Sequence, residues 1–258
     1  GAIAKNYFTS KINISPKDIT VVSIMPCIAK KYEVSRTELG NDGILDVDVS
    51  ITTRELAKMI KESGIDFLNL DDENFDNPMG ESTGAADIFG TTGGVLEAAL
   101  RTSYEWVTGQ ELESLDFKSV RGLDGIKEAS ITIGDSIINV CAASSLGNAK
   151  KIMDDVKAGN SKYHIIEIMA CPGGCIAGAG QPYHRGDYSI VKSRSEGLYN
   201  IDSNKEIRKS HKNPAVNTLY DEFLGNPCGD LAHKYLHTHY FDKSNFFECD
   251  EELAKATE

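Results

Sequence analysis

Apolar positions along the chain fall into short β-branched runs, set apart by stretches with helical spacing. Residues 19–24 read Ile-Thr-Val-Val-Ser-Ile, which predicts a buried strand ending at Met25-Pro26-Cys27. Proline lacks the N–H that a ladder needs, so the strand closes there and delivers Cys27 at its C-terminal end. Residues 46–53 alternate polar and apolar and predict a second strand. Thr53 is then the N-cap of a helix over 54–63, with Leu56, Met59 and Ile60 on one face and Gly64 as its stop. Residues 71–84 are acidic and rich in turn formers, which predicts a long loop.

Further on, Ile88-Phe89-Gly90-Thr91-Thr92-Gly93-Gly94 is a tight turn leading into a helical segment over 95–101. Residues 129–132 and 137–142 read as a hairpin around Gly134-Asp135. Helix-like sequence covers 145–158, and residues 163–169 form a third apolar strand that delivers Cys171. Leucine and charge patterns over 205–240 predict two or three terminal helices, within a helical region placed at 205–247. Residues 248–258 read as an acidic, solvated tail. Strands alternating with helices predict an α/β fold, a mainly parallel sheet flanked by helices.

Composition narrows the class. The chain has 27 basic and 39 acidic residues, a net charge of −12, which argues against a nucleic-acid partner. No apolar run is long enough for a membrane span. Six cysteines in 258 residues are too few for a disulfide-built scaffold. Two of them lie four apart in a Gly-rich segment, which favours metal or redox chemistry. The first residue is Gly1, so the lack of a leader there says little about location.

The most informative stretch runs from Glu167 through Cys171-Pro-Gly-Gly-Cys175 to Pro182. Two thiolates separated by Pro-Gly-Gly can wrap the corner of a metal cluster, and the glycines let backbone N–H groups approach sulfur. Thiolates suit zinc and iron–sulfur clusters because both partners are soft. The plain alternative, two buried free cysteines beside a turn, is costly for a loop with so little packing surface. Met25-Pro26-Cys27-Ile-Ala-Lys30 is weaker alone, since a cysteine after a strand is more often core than ligand. Its place at a strand end raises its weight, because ligands sit beyond the carboxyl ends of such strands. Lys30 is either an ordinary solvated lysine or a donor to an anionic ligand at that site.

The bland readings are plain. Cys141 and Trp106 read as core, Cys228 and Cys249 match no motif, and His233, His237 and His239 lack a fourth zinc ligand. The run Asp71, Asp72, Glu73, Asp76 reads as a solvated loop. A zinc module using Cys27, Cys171 and Cys175 with a histidine stays open. A dithiol at Cys171 and Cys175 is disfavoured by its three-residue spacer.

Taken together, the Cys27 and Cys171–Cys175 segments resemble the second and third signature motifs of iron-only (FeFe) hydrogenases. The stretch 86–101, with Phe89 and the Gly93-Gly94 pair, is similar to another part of that catalytic domain, and 208–214 and 237–240 resemble its C-terminal region. The resemblance implies one lobe, with part of the second, of the two-lobed hydrogenase domain. It implies a 4Fe–4S cubane held by four cysteines, one of which bridges to a diiron centre carrying carbonyl, cyanide and an azadithiolate (the H-cluster). By motif position, Cys27, Cys171 and Cys175 are three cubane ligands and Cys175 is the bridge. Lys30 matches the lysine that hydrogen-bonds a cyanide. Met25, Met169 and Phe89 match residues walling the diiron centre, and the backbone at Pro26 and Gly90 lies close to the same ligands. The implied reaction is reversible oxidation of H₂ to protons and electrons, exchanged with ferredoxin or a similar carrier. A cytoplasmic location is expected, with the periplasm left open.

Two departures bear on this. The family's first motif, a Thr-Ser-Cys-Cys-Pro-like stretch, has no match and is expected upstream of Gly1 or on another chain, so this chain alone is expected to be incomplete and inactive. Ala179 replaces a glycine common in the third motif, where its Cβ is expected to shift a loop of positive φ. A hydrogenase-like sensory or iron–sulfur binding protein with little turnover is the alternative.

Overall fold

The computed structural model describes residues 1–239. The predicted acidic tail, Cys249 and Tyr240 lie outside the described residues.

Two sheets, each with one parallel strand pair, organise the chain. In the first, β1 (Val22–Met25) pairs in parallel with β2 (Val49–Thr52), register Val22 to Val49 and Met25 to Thr52. The strands are shorter than the runs 19–24 and 46–53. Between them a two-residue antiparallel bridge joins Gly40–Asn41 to Ile44–Leu45. Helix α1 (Thr53–Glu62) follows β2 at once. Its N-cap is Thr52, not the expected Thr53: Thr52 Oγ1 accepts from Glu55 N at 3.2 Å, and Glu55 Oε2 accepts from Thr52 N at 2.7 Å. This reciprocal box satisfies two donors that a helix start would leave orphaned. No regular element lies between Asn69 and Gly84, as the turn-rich composition predicts.

The second unit begins with α2 (Gly94–Thr108), which ends where Gly109 takes φ 66°. Strands β3 (Ile126–Ile133) and β4 (Ser136–Ser144) form the predicted hairpin, antiparallel and turning at Gly134-Asp135. Helix α3 (Leu146–Lys157) then carries the chain back to β5 (Ile165–Met169), which lies parallel to β4. Alternation along β4 builds two cores, since successive side chains face opposite sides. Val140 and Ala142 pack with Leu96, Leu100, Val120 and Ile133 under α2. Cys141 and Ala143 pack with Ile152 of α3, so Cys141 is core as expected. The α/β class holds, and within it the parallel pairing falls on β1 and β5, the strands that deliver the motif cysteines, while β3–β4 is antiparallel.

The last segment differs most from expectation. A 17-residue helix, α4 (Tyr188–Asn204), precedes the region assigned to terminal helices. Beyond it, among the described residues, come only short pieces: a turn at Ser210–Lys212, a helix at Pro214–Leu219 capped by Asn213, a π-turn at Tyr220–Leu224 and α5 (Asp230–Leu236). The long helix escapes a hydrophobic reading because one of its two fully buried residues is Asp202. Its partner is Arg101 of α2, also fully buried, which donates to both Asp202 oxygens at 2.8 Å, to Glu97 at 2.7 Å and to the carbonyls of Leu115 and Arg208 at 2.9 Å. Burial pushes the Asp202 carboxyl up, but bonds from Arg101 and Arg208 outweigh it and hold the group low. Trp106, expected in the core, is 67% exposed and lies edge-on to His211. It sits on the outer face of α2, where the neighbouring Glu105 turns inward instead.

Candidate metal centre

Met25 ends β1 and Met169 ends β5, so both cysteine motifs begin where a strand stops. The Gly173-Gly174 pair after Cys171 has no side chain to pack, and it is placed by backbone contacts. Gly173 and Gly174 take φ values of 85° and 97°, a region that residues with a Cβ rarely adopt. A Cβ on Gly174 would also lie 2.7 Å from Thr92 N and 2.8 Å from Gly90 O. The Pro-Gly-Gly spacer is thus pressed onto the Gly90–Gly93 turn, and Thr92 N donates to Gly173 O at 3.3 Å.

The strip after Cys175 docks on the other motif. Gly180 N donates to Pro26 O at 2.9 Å. A Cβ on Gly178 would fall 2.2 Å from Pro26 O, and one on Gly180 would fall 2.8 Å from Cys27 N. Backbone lies on backbone here, with no room for side chains. This contact brings Cys27 to the Cys171–Cys175 loop, although more than 140 residues separate them. Electrostatics reports the same convergence. Burial is the main cause raising the Cys175 thiol, the neighbouring Cys171 and Cys27 raise it further, Lys30 lowers it, and Glu167 adds a smaller rise.

The other expected residues surround this point. Cys27, Cys171, Met25, Pro26 and Met169 are half-buried, and Cys175 is exposed. Phe89 is 45% exposed, and Gly90 abuts Leu198 of α4, whose Cδ1 would lie 2.8 Å from an added Cβ. The Lys30 side chain is 41% exposed, and its Nζ bonds both Glu33 oxygens at 2.7 and 2.6 Å. Ala179 does not distort the loop. Its φ is not positive and it is exposed, so its Cβ faces solvent, while its carbonyl accepts from Arg54.

Sequence reasoning missed the groups beneath the loop. Glu167, four residues before Cys171, accepts from Gly93 N and from Leu96 N (2.7 Å), so its carboxylate caps the N-terminus of α2, where helix dipole and free N–H groups favour negative charge. A lone acidic residue inside an apolar strand was the available signal. Lys127 is buried, donates to Thr92 O at 2.7 Å and Gly122 O at 3.0 Å, and is held down to about 8 by burial, with Glu167 and Asp124 pulling the other way. Together Glu167 and Lys127 fix the Thr92–Gly93 turn against which the Pro-Gly-Gly spacer rests.

The donor set suits an iron–sulfur cluster: three soft thiolates at the rim of a glycine-built cradle. Among the described residues, the remaining cysteines are Cys141, in the sheet core, and Cys228, which is exposed.

Comparison with known proteins agrees. Residues 1–179 match the family model for the iron only hydrogenase large subunit, C-terminal domain, and residues 188–243 match that for the iron hydrogenase small subunit. The chain is similar to the NADP-reducing hydrogenase subunit HndD of Solidesulfovibrio fructosivorans, 53% identical over 94% of this chain and 41% of that protein. It is similar to the periplasmic [Fe] hydrogenase large subunit of Nitratidesulfovibrio vulgaris, 54% identical over 77% of this chain and 47% of that one. A solved apo [FeFe]-hydrogenase HydA1 variant from Chlamydomonas reinhardtii superposes with a TM-score of 0.78 at 42% identity, over 93% of this chain and 67% of that chain. The chain thus spans less than half the length of these curated relatives. No helix among the described residues is long and apolar enough to cross a membrane. By the match over 1–179, the chain belongs to the iron-only (FeFe) hydrogenase family and carries the C-terminal domain of its large subunit.

Proposed function

We propose that this chain is the cluster-holding C-terminal part of an FeFe hydrogenase that interconverts H₂ with two protons and two electrons. The observation that carries the reading is the docking of the Gly178–Gly180 strip on Pro26 and Cys27, which gathers three thiols from two lobes. Cys27, Cys171 and Cys175 would hold a 4Fe–4S cubane, with Cys175 shared with a diiron centre. When bound, the metal centre supplies the activation of H₂ and the storage of electrons.

The chain's own residues have simpler tasks. Met25, Met169 and Phe89 exclude water from one side of the centre, and the backbone at Pro26 and Gly90 sets how closely it is approached. Lys30 supplies a cation for the anionic ligand set, released from Glu33 by a modest motion since both side chains are half-exposed. The fourth thiolate and the proton relay come from protein outside these 258 residues. The first lobe has a surface for it: Val22, Ile24 and Val49 of the β1–β2 pair are 50%, 48% and 43% exposed, although parallel strands normally have both faces covered. Ferredoxin or a similar small carrier exchanges the electrons.

The full-length gene, expressed with its maturation machinery, should evolve H₂ from reduced ferredoxin and show infrared bands of metal-bound carbonyl and cyanide. Absence of both would overturn the reading. Bands without turnover would favour the sensory alternative.

A further inference from the structure

The nine residues from Cys175 to Tyr183 have one short turn of their own, Cys175–Ala177, with Ile176 buried. Four of their carbonyls are also gripped by two arginines. Arg54, in the first turn of α1, donates through its backbone N to Gly180 O at 3.2 Å and through Nη2 to Ala179 O at 2.7 Å. Its guanidinium stacks 4.1 Å from the Tyr183 ring centroid. Arg194, on α4, donates through Nη1 to Ile176 O and through Nη2 to Pro182 O, both at 2.8 Å. Arg54 belongs to the lobe of Cys27, and Arg194 to the segment that matches the small-subunit family.

We propose that Arg54 and Arg194 are positioning residues that set the place of Cys175 relative to Cys27. The inference rests on the cluster-binding reading above. Each guanidinium acts through carbonyls of the loop. Arg194 bridges Ile176 and Pro182 and so closes the loop on itself. Arg54 ties the middle of that closed loop to the helix that follows β2, the strand paired with β1. With both in place, Cys175 cannot slide along Pro26 without breaking a charge-assisted bond. The planar fork is what the geometry uses. A lysine keeps the charge but has neither the span of Arg194's fork across Ile176 O and Pro182 O nor the flat face that Arg54 lays on Tyr183. It follows that α4 has a task at the cluster although it carries no cysteine.

The test uses matured full-length protein, with Arg54→Lys, Arg194→Lys and, as a control, Lys192→Ala on the exposed face of α4. The readouts are the rate of iron loss to a chelator, the EPR signal of the reduced cluster, and melting of the apoprotein. Each lysine variant should lose iron about tenfold faster than wild type, the usual scale for groups that orient metal ligands. Each should also shift the EPR signal, and Lys192→Ala should do neither. Iron loss and EPR signals equal to wild type in both arginine variants would overturn the proposal. So would faster loss that only follows a lowered melting temperature, with the EPR signal unchanged. A wild-type protein that takes up no cluster would refute the functional reading itself, and this proposal with it.

Discussion

Gly178→Ala isolates the contact that joins the two motifs. Gly178 has φ −61° and ψ 155°, a conformation open to any residue, so alanine brings no backbone strain. The added methyl would lie 2.2 Å from Pro26 O and 3.0 Å from Cys175 O, both backbone atoms that cannot swing away. Ordinary contact requires the strip to retreat by about 1 Å. That retreat stretches the Gly180 N to Pro26 O bond as well. Overpacking and the weakened bond together cost about 2–4 kcal/mol. The melting temperature of this domain in the full-length apoprotein should fall by roughly 4–8 °C in scanning calorimetry. Because Cys175 lies three residues before the substitution, the matured variant should also hold less iron than wild type in a colorimetric assay. Gly197→Ala, in the exposed interior of α4 with no atom within 4 Å, is the matched control and should stabilise by about 0.5–1 kcal/mol. A Gly178→Ala protein with wild-type melting and wild-type iron content would refute the close docking of the two motifs.

Other outcomes follow from the packing and the charges. Arg101→Ala empties a fully buried site and takes a partner from buried Glu97 and Asp202, which keep Arg121 and Arg208, and urea unfolding should show a loss of about 3–5 kcal/mol, with α4 newly open to protease; a loss below about 1 kcal/mol would contradict the buried network. Lys30→Ala removes a half-exposed pair worth less than about 1 kcal/mol, so melting should barely move while the carbonyl infrared bands per protein weaken; unchanged band intensity would remove Lys30 from the site. Glu105, bonded to Lys209 and His211, titrates near 2 despite burial, which acts upward, because those partners favour its charged form. Its contribution should be complete above about pH 5 and disappear as pH falls from the unfolded value near 4.5 toward 2. Glu105→Gln should flatten the stability profile in that window, and an equally steep profile in the variant would contradict the assignment.

Much of the site was legible because its markers are chemical. Apolar runs closed by Pro26 and by Cys171-Pro-Gly-Gly mark strand ends in any context, and the strands do deliver both motifs there. The capping box was written in Thr52-Thr53-Arg54-Glu55, yet the alternation over 46–53 pointed to Thr53 because it carried the strand one residue too far at its C-terminal end. Helix α4 could not be found by periodicity, since its inward face includes Asp202, whose burial makes sense only once Arg101 is opposite it. Trp106 misled for the reverse reason: side-chain size favours burial, but its position on α2 faces outward. Ala179 raised an expectation of strain that required knowing φ. The grip of Arg54 and Arg194 on carbonyls leaves no trace in composition, because any residue supplies a carbonyl.

The central claim is that Cys27, Cys171 and Cys175 hold one cluster together. Its most direct measurement is iron, acid-labile sulfide and the EPR signal of matured full-length protein carrying Cys27→Ser, Cys171→Ser or Cys175→Ser, with Cys228→Ser as reference. Each of the three should change or abolish the same cubane signal, while Cys228→Ser leaves it intact. A wild-type cubane signal retained at full intensity in all three would contradict the claim.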